Sequence, residues 1–423
     1  MILLSIKRLA VVSAVLFFSG QIQAAGPLRV YVLVGQSNMQ GHAHIRTLAH
    51  LGMSEETRGT LEKIQSDDGQ PRVFDDVCIS YLSRDGVKTG PLSVGYGANE
   101  EKIGPELMFG IRMHELSGEP ILLIKAAWGG KSLNTDFRPP SAGEYVFAPE
   151  AIARLEKQGK DVAQIKEQRR EATGVYYRQT IDHVKKTLAS IEEIHPAYSA
   201  DAGYELAGLV WFQGWNDMVD SGTYPLRGQP GGYAAYSEVL KHLIADFRRD
   251  LGSPELPFVV GVLGVGGPTE LYGPSQQRYL STHQGFRDAM AAPASDPDLD
   301  KVAAVLTEKC WDRKLDELVE LSGRVRGEAR KLARAEDLQS AVNVLFKEEG
   351  NADQALTRVA ELQASKQLQK ALTDAMLAKE LSESERKLLE IGVSNGGYHY
   401  LGSSKIMTCI GKSFADAMWK LRQ

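Results

Sequence analysis

The sequence predicts an α/β protein in which helices cover both faces of a parallel β-sheet. Two observations lead to this prediction: short, almost uninterrupted apolar segments recur along the chain, and helix-length segments lie between them. A strand buried on both faces of a parallel sheet has such a continuous apolar sequence, because neither face meets water. Strands that alternate with helices are typical of parallel sheets.

Five segments have the composition of buried strands, and helical segments separate them. The predicted strands cover 28–34, 120–127, 206–212, 257–263 and 302–306. The predicted helices cover 106–117, 175–194, 232–251, 284–292 and 404–421. Active sites of parallel sheets lie at the carboxyl ends of the strands. The polar residues that follow each strand are therefore the candidate site residues.

The N-terminus has the order of features found in a secretory signal peptide. Lys7 and Arg8 precede an apolar run at 9–18, and small residues follow as far as Ala25. We therefore expect a signal peptide at residues 1–25 and a secreted or periplasmic protein, with an uncleaved anchor as the alternative. No later segment has the ~20 apolar residues that a membrane span needs.

Composition and cysteine spacing exclude several partner classes. The net charge of −5 gives no general attraction to nucleic acid or anionic membranes. The three cysteines form no CxxC pair, so we expect no structural zinc site. Either Cys310 and Cys409 form a disulfide and Cys78 is free, or all three are buried thiols. We expect no metal and no organic cofactor, and the sequence leaves the oligomeric state open.

The first predicted strand ends at a turn that reads Gly35-Gln36-Ser37-Asn38-Met39. A serine at a strand end is displayed where a nucleophile is often found, and the backbone N–H groups of a following helix suit a developing oxyanion. Ser37 is therefore the candidate nucleophile. The alternative is that Ser37 caps the following helix.

The next two strand ends carry candidate oxyanion donors. Gly129 and Gly130 follow the second predicted strand, and glycine lets a backbone N–H group approach a ligand closely. Asn216 follows Gly214 after the third strand, and an asparagine amide is a common oxyanion donor. The alternatives are an ordinary glycine turn and a helix cap at Asn216.

A late histidine is the candidate general base. His399 lies in a glycine-rich loop that starts at Ser394, directly before the last predicted helix. A loop histidine is suited to take the proton of a strand-end serine. His42 and His44, which follow Ser37 closely, are expected to line the same pocket.

These blocks together resemble the SGNH (GDSL-like) hydrolase superfamily, in particular its sialate O-acetylesterase and carbohydrate esterase family six branch. That branch carries GQSNM around its nucleophile, which here supplies Ser37. The Gly-Gly turn matches the block with a backbone oxyanion donor, at Gly129 or Gly130. QGWND matches the GxND block at Asn216, although the branch often reads QGES there, and the terminal histidine block supplies His399.

The resemblance covers 27–310 and 391–423, and it implies a flavodoxin-like three-layer α/β/α sandwich with a parallel sheet, the SGNH hydrolase fold. We therefore expect a signal peptide at 1–25 and an esterase domain formed by 26–310 and 391–423. An all-helical insertion at 311–390 is expected to precede the histidine loop.

The insertion is charged and contains few glycines. Leu315, Leu318 and Val325 begin an approximate helical stripe, and Ser382 with Glu385 predicts a capping box. We expect two or three helices in a hairpin or small bundle. Its role remains open between a structural excursion, a lid and a partner surface.

The chain departs from the family at the triad acid. The family has aspartate three residues before the histidine, and this chain has Gly396 there. Asp312 is the first candidate for a replacement acid and Glu308 the second. A Ser–His dyad oriented by a backbone carbonyl is an alternative, and Asp312 also suits the cap of a helix that begins near Lys314.

The resemblance implies a serine esterase that removes O-acetyl groups from carbohydrate, such as acetylated xylan, another polysaccharide or an O-acetyl sialic acid. Two alternatives remain: a carbohydrate-binding or structural module with a degenerate site, and a lipase-like or peptidase activity. Tyr96 is considered as an aromatic wall for a sugar. The residues expected to bind substrate are Gln36, Asn38, Gln213, Trp128 and Trp215.

Overall fold

The computed structural model describes residues 26–346 and 351–423. The strands are β1 (Leu28–Gly35), β2 (Ala43–His44), β3 (Phe74–Ser83), β4 (Gly86–Leu92), β5 (Lys102–Ile103), β6 (Ile121–Ala127), β7 (Tyr204–Phe212), β8 (Phe258–Val262) and β9 (Val302–Leu306). The predicted signal peptide lies outside the described residues. Within them, no helix is long and apolar enough to cross a membrane.

The helices lie between the strands and after the last strand. They are α1 (Ser37–Gln40), α2 (Glu55–Ile64), α3 (Pro105–Ser117), α4 (Pro149–Lys157), α5 (Val162–Ala172), α6 (Val175–Ala189), α7 (Ile191–Ile194), α8 (Trp215–Val219), α9 (Ala234–Asp250), α10 (Leu280–Ala291), α11 (Arg313–Ala333), α12 (Gln339–Leu345), α13 (Ala352–Ala364), α14 (Leu368–Glu380), α15 (Glu383–Gly392) and α16 (Ser404–Leu421).

Seven strands form one sheet in the order β4-β3-β6-β1-β7-β8-β9. All neighbouring pairs are parallel except β3 and β4, which form an antiparallel hairpin at one edge. The five predicted strands are all present, and their order β6-β1-β7-β8-β9 is the flavodoxin-like order. The predicted three-layer sandwich is confirmed. The hairpin is an addition at the β6 edge that the sequence analysis did not predict.

Helices pack on both faces of this sheet. α3 and α16 pack against each other and against the sheet, α3 on β3 and β6 and α16 on β8 and β9. α6 and α10 contact the same two pairs of strands, and α9 packs against α10. The central strand β1 is buried along almost its whole length. Two helix-forming regions were not predicted, one that contains α2 and one that contains α4 and α5.

The described part of the insertion contains five helices, α11 to α15, whereas two or three were expected. Its distal part has an apolar cluster of its own, which includes Ala329, Val359 and Leu372. Leu315 at the start of α11 belongs instead to the main core. The predicted capping box of Ser382 and Glu385 is present at the start of α15. Helix α16 has the predicted bounds.

A disulfide joins Cys310 to Cys409, and Cys78 is a buried free thiol. The disulfide therefore ties the segment before the insertion to α16, the helix that follows the histidine loop. Of the two alternatives for the cysteines, the structure has the disulfide.

Candidate active site

Ser37 is the first residue of α1, directly after β1. Gly35 is needed at this strand end, because a Cβ there would lie 2.1 Å from the carbonyl oxygen of Phe212 in β7. Gln36 occupies the N-cap position of α1, and no side chain makes a capping hydrogen bond there. Ser37 is therefore not a capping serine. It lies at the switch point between β1 and β7, where flavodoxin-like sheets place their sites.

Gln36 connects the ends of β1 and β7. Its Oε1 accepts hydrogen bonds from the Gly214 N–H at 3.0 Å and from Gln213 Nε2 at 3.1 Å. Its Nε2 donates to Oδ1 of Asn216 at 3.1 Å. The amide nitrogen of Asn216 is thereby left for another acceptor. Asn216 is the second residue of α8 and does not cap it.

Gly129 lies beside the candidate nucleophile. A Cβ at Gly129 would lie 3.9 Å from the Ser37 Cβ and 3.5 Å from Oε1 of Gln40. Gly130 has a φ of 75°, which favours glycine. The groups expected to hold an oxyanion, which are the N–H of Ser37, Gly129 or Gly130, and Asn216, therefore lie at the carboxyl ends of neighbouring strands.

Asp217 holds the loop that follows Gly130. Its carboxylate accepts hydrogen bonds from the N–H groups of Leu133 and Asn134, and from Gln213 Nε2 and the Tyr224 hydroxyl. Burial raises the pKa of Asp217 to about 6, although these four donors favour the ionised form. Asp217 thus fixes the loop after β6 to the start of α8.

A buried ion pair holds the C-terminal end of α1. Lys125 in β6 donates to Oε2 of Glu106 at 2.8 Å and to the carbonyl oxygens of Gln40 and Tyr96 at 2.9 and 2.7 Å. Both charged side chains are fully buried. A buried charge must be paired and hydrogen-bonded, and here one of its partners is the last residue of α1. The pair therefore fixes the end of the helix that carries Ser37.

His399 lies in the turn 397–402, which packs against α1. Its Nδ1 lies 3.2 Å from Oδ1 of Asn395, and its ring stacks on His42 with centroids 4.0 Å apart and planes 2° apart. Burial, with a smaller effect of the Lys102 ammonium, lowers the pKa of His399 to about 4. The ring makes no hydrogen bond to Ser37 within the described chain. Catalytic hydrogen bonds often form only once substrate is bound.

The two acids expected at His399 lie elsewhere. Asp312 caps α11 by accepting the Leu315 N–H at 3.0 Å, and it accepts from Lys405 Nζ at 2.7 Å. Glu308 pairs with Arg287. The structure gives no support to Asp312 as the triad acid, because its carboxylate serves as a helix cap and a lysine partner. The helix-cap alternative describes its position.

The residues expected to bind substrate differ in how far their side chains are exposed to solvent. Gln36, Asn38 and Gln213 are each 1% exposed. Gln36 and Gln213 hydrogen-bond to each other, whereas both side-chain polar atoms of Asn38 are buried without a hydrogen-bond partner among the described residues. Trp128 is nearly buried but lines a cleft beside Gly129. Trp215 is half-buried and packs 5.8 Å from the exposed ring of Tyr398. The side chain of Tyr96 is buried and does not form a wall of the cleft.

The cleft beside Gly129 has a volume of about 790 Å³. It runs between the β3–β4 hairpin and α6. The residues that line it are Gln40, Leu82, Ser83, Arg84, Gly86, Val87, Trp128, Gly129, Lys131, Tyr176, Gln179, Asp182, His183 and Lys186. In the described ranges, no group of three acidic, histidine or cysteine side chains is arranged to hold a metal ion.

Sequence patterns did not indicate the residues that hold the site in place. Asn395, Asp217 and Lys125 were not singled out, and His42 was expected only to line the pocket. Asn395 precedes His399 by four positions, and a search for any polar side chain near the histidine would have found it. Lys125 interrupts the apolar strand β6, which is itself a signal of a buried partner.

Comparisons with known proteins complete the description. A family model described as carbohydrate esterase, sialic acid-specific acetylesterase, matches residues 27–302. A protein of known structure from Arabidopsis thaliana is similar at 16% identity and a TM-score of 0.36, over 66% of this chain and 86% of that one. A structure described as a novel carbohydrate acetylesterase from Xanthomonas citri has 14% identity and a TM-score of 0.37, over 65% and 49%. No curated protein matches significantly.

Proposed function

The chain belongs to the carbohydrate esterase family of sialic acid-specific acetylesterases, and from that premise we propose that it cleaves O-acetyl esters of a carbohydrate through a Ser37–His399 acyl-enzyme mechanism. The observation that carries this proposal is the meeting of four elements at one sheet edge. They are the Ser37 turn, the Gly129 turn, Asn216 and the turn that holds His399.

In the acylation step, Nε2 of His399 takes the proton of the Ser37 hydroxyl while Oγ attacks the acetyl carbonyl carbon. The negative charge that develops on the carbonyl oxygen is held by the N–H of Ser37, by the N–H of Gly129 or Gly130, and by Nδ2 of Asn216. Collapse of the tetrahedral intermediate breaks the ester bond, and the leaving sugar hydroxyl receives the proton from His399.

Deacylation repeats these steps with water. His399 removes a proton from a water molecule, the resulting hydroxide equivalent attacks the acetyl-serine, and acetate leaves as Ser37 regains its proton. No step needs a metal ion or an organic cofactor. The same oxyanion donors serve both tetrahedral intermediates, so their loss affects both steps.

The cleft beside Gly129 is the site proposed for the sugar. Its volume of about 790 Å³ is within the range of pockets that hold small molecules, and Trp128 and Tyr176 give it aromatic walls. The substrates considered are acetylated xylan, another acetylated polysaccharide and an O-acetyl sialic acid. The predicted signal peptide supports export, which suits a substrate outside the cytoplasm.

The test is hydrolysis of p-nitrophenyl acetate, together with acetate release from the candidate carbohydrates, by wild type, Ser37→Ala and His399→Ala. Ser365→Ala, at the exposed end of α13, is the matched control. We expect both site variants to lose activity and the control to keep it. Equal turnover by Ser37→Ala and wild type would exclude this mechanism. Longer acyl esters distinguish an acetylesterase from a lipase-like activity.

A further inference from the structure

Asn395 presents its side-chain oxygen to two donors. Oδ1 accepts the Gly396 N–H at 2.8 Å and lies 3.2 Å from Nδ1 of His399. A backbone N–H group can only donate, so the atom that faces it is the amide oxygen and not the amide nitrogen. Nδ1 of His399 must then carry the proton, and Nε2 is left bare to accept a proton from a serine. The triad aspartate of serine hydrolases imposes this same tautomer.

The loop around Asn395 is shaped to keep this contact. The Asn395 N–H donates to the carbonyl of Leu401 at 3.0 Å. Ser394 Oγ donates to the carbonyl of Gly402 at 2.7 Å and accepts the His44 N–H at 3.1 Å. Tyr400 and Leu401 adopt φ values of 52° and 59°, which strain non-glycine residues. Strained backbone of this kind persists only where surrounding contacts impose it.

His42 stacks on the His399 ring and restrains its rotation. The two imidazoles stack almost in parallel, and Nδ1 of His42 is buried without a hydrogen-bond partner among the described residues. Burial, followed by the effects of His399 and two lysines, lowers the pKa of His42 to about 3. A neutral ring at this position restricts the rotation of His399 and offers its π-face when His399 becomes protonated.

The surroundings of the pair contain no acid that contacts it. No carboxylate of the described chain lies within hydrogen-bond or ion-pair distance of either ring. Lys102 and Lys125 are the charged groups that act on His42, and Lys102 acts on His399, whose other flank packs against Tyr398. The expected acid at position 396 is a glycine, and Asp312 and Glu308 have other partners.

From this geometry we infer that Asn395 replaces the triad carboxylate as the positioning residue of His399, with His42 as a stacked second restraint. The inference rests on the proposed function of Ser37 and His399. An amide oxygen fixes the tautomer as an aspartate does, but it adds no negative charge. The imidazolium that forms during the reaction is therefore less stabilised than beside a carboxylate, and His399 remains a weak base that is active at low pH.

The test compares pH–rate profiles of wild type, Asn395→Asp, Asn395→Leu, His42→Phe and His42→Ala, with Asn343→Asp on the exposed face of α12 as the matched control. Asn395→Asp is expected to raise the pKa of the acid limb by about 1–3 units, because a carboxylate favours the imidazolium. Asn395→Leu is expected to lower kcat by about 10²–10⁴-fold with little change in KM. His42→Ala, which removes the stacked ring, is expected to lower kcat more than His42→Phe, which keeps a ring at this position.

Titration of the His399 ring by NMR separates this inference from the proposed function. The ring pKa should rise in Asn395→Asp and stay unchanged in the Asn343→Asp control, whatever the catalytic activity. If Ser37→Ala is inactive but Asn395→Leu has the wild-type kcat and pH profile, the role of Asn395 is refuted. If Ser37→Ala is fully active, the proposed function fails, and the NMR titration still decides the Asn395 contact. Peptide mass spectrometry verifies that residue 395 is the amide in the wild-type sample.

Discussion

Gln36 Nε2 donates a hydrogen bond to Oδ1 of Asn216 at 3.1 Å. The two residues are far apart in sequence, and this bond joins the turn after β1 to the helix after β7. It sets the orientation of the Asn216 amide, because the oxygen is engaged and the nitrogen remains for another acceptor. A buried glutamine next to the candidate nucleophile therefore orients a candidate oxyanion donor.

Replacing Asn216 by alanine should lower kcat by about 10²–10³-fold, because one preorganised oxyanion donor is lost. KM should change little, since the donor acts mainly on charge that develops in the transition state. Steady-state hydrolysis of p-nitrophenyl acetate measures both constants. Asn343→Ala is the control. A variant with an unchanged kcat would remove Asn216 from the oxyanion hole.

Asp217→Asn should reduce both activity and stability. The substitution places an amide NH₂ group among donors that now all point at carboxylate oxygens, and each unsatisfied buried donor costs about 1–3 kcal/mol. Chemical denaturation and kcat/KM report the two effects. Asp220→Asn, on the neighbouring and more exposed acid, is the comparison variant. An Asp217→Asn protein with wild-type stability would show that the loop after β6 does not depend on this carboxylate.

The activity of the wild-type protein should persist to low pH. His399 must be neutral to act as a base, and its pKa is lowered to about 4, so kcat/KM should rise with pH through about pH 4 and be level above pH 6. A profile of kcat/KM between pH 3 and pH 8 checks this. An acid limb at the ordinary histidine pKa of about 6.5 would contradict the low pKa of His399.

His399 and His42 should make the free energy of unfolding depend on pH. The folded-state pKa values of His399 and His42 lie below the ordinary value of about 6.5. The neutral rings therefore contribute to folding stability above about pH 6.5, and this stabilisation is lost as the pH falls through about 4 for His399 and about 3 for His42. Denaturation of His42→Phe at several pH values should show a smaller loss between pH 6.5 and 4 than wild type does. Equal losses would mean that His42 titrates normally.

The Cys310–Cys409 disulfide should stabilise the fold, because it closes a loop of 99 residues that includes the insertion. A disulfide commonly contributes about 2–4 kcal/mol. Reductant should therefore lower the melting temperature of wild type and leave that of the Cys310→Ser/Cys409→Ser variant unchanged. A wild-type melt that does not respond to reductant, with the thiols shown to be free, would refute a stabilising role.

The sheet was predictable because its strands are buried on both faces, and continuous apolar runs such as β1 and β6 are strong signals. The β3–β4 hairpin was missed because its edge strand is largely exposed and carries mixed side chains. The segment proposed as an insertion is helical, but it has more helices among the described residues than were expected. Charged amphipathic sequence does not mark where one helix ends and the next begins.

In the site, strand-end motifs pointed to Ser37, Gly129 and Asn216, because parallel strands bring their ends together, and a glycine-rich loop pointed to His399. The positioning residue of His399 could not be found in that way. Asp312 lies at the start of the insertion and has the right chemistry, but its carboxylate accepts hydrogen bonds from Leu315 and Lys405. The contact between Asn395 and His399 depends on the shape of one short loop, which sequence patterns do not specify.

The most direct test of the account is covalent labelling of the nucleophile. A serine-reactive phosphonate ester should modify wild type at one site, and peptide mass spectrometry should place the adduct on Ser37. His399→Ala should label far more slowly and Ser37→Ala not at all. Equal labelling of Ser37→Ala and wild type, or an adduct on another serine that accompanies loss of esterase activity, would contradict the central claim that Ser37 is the nucleophile.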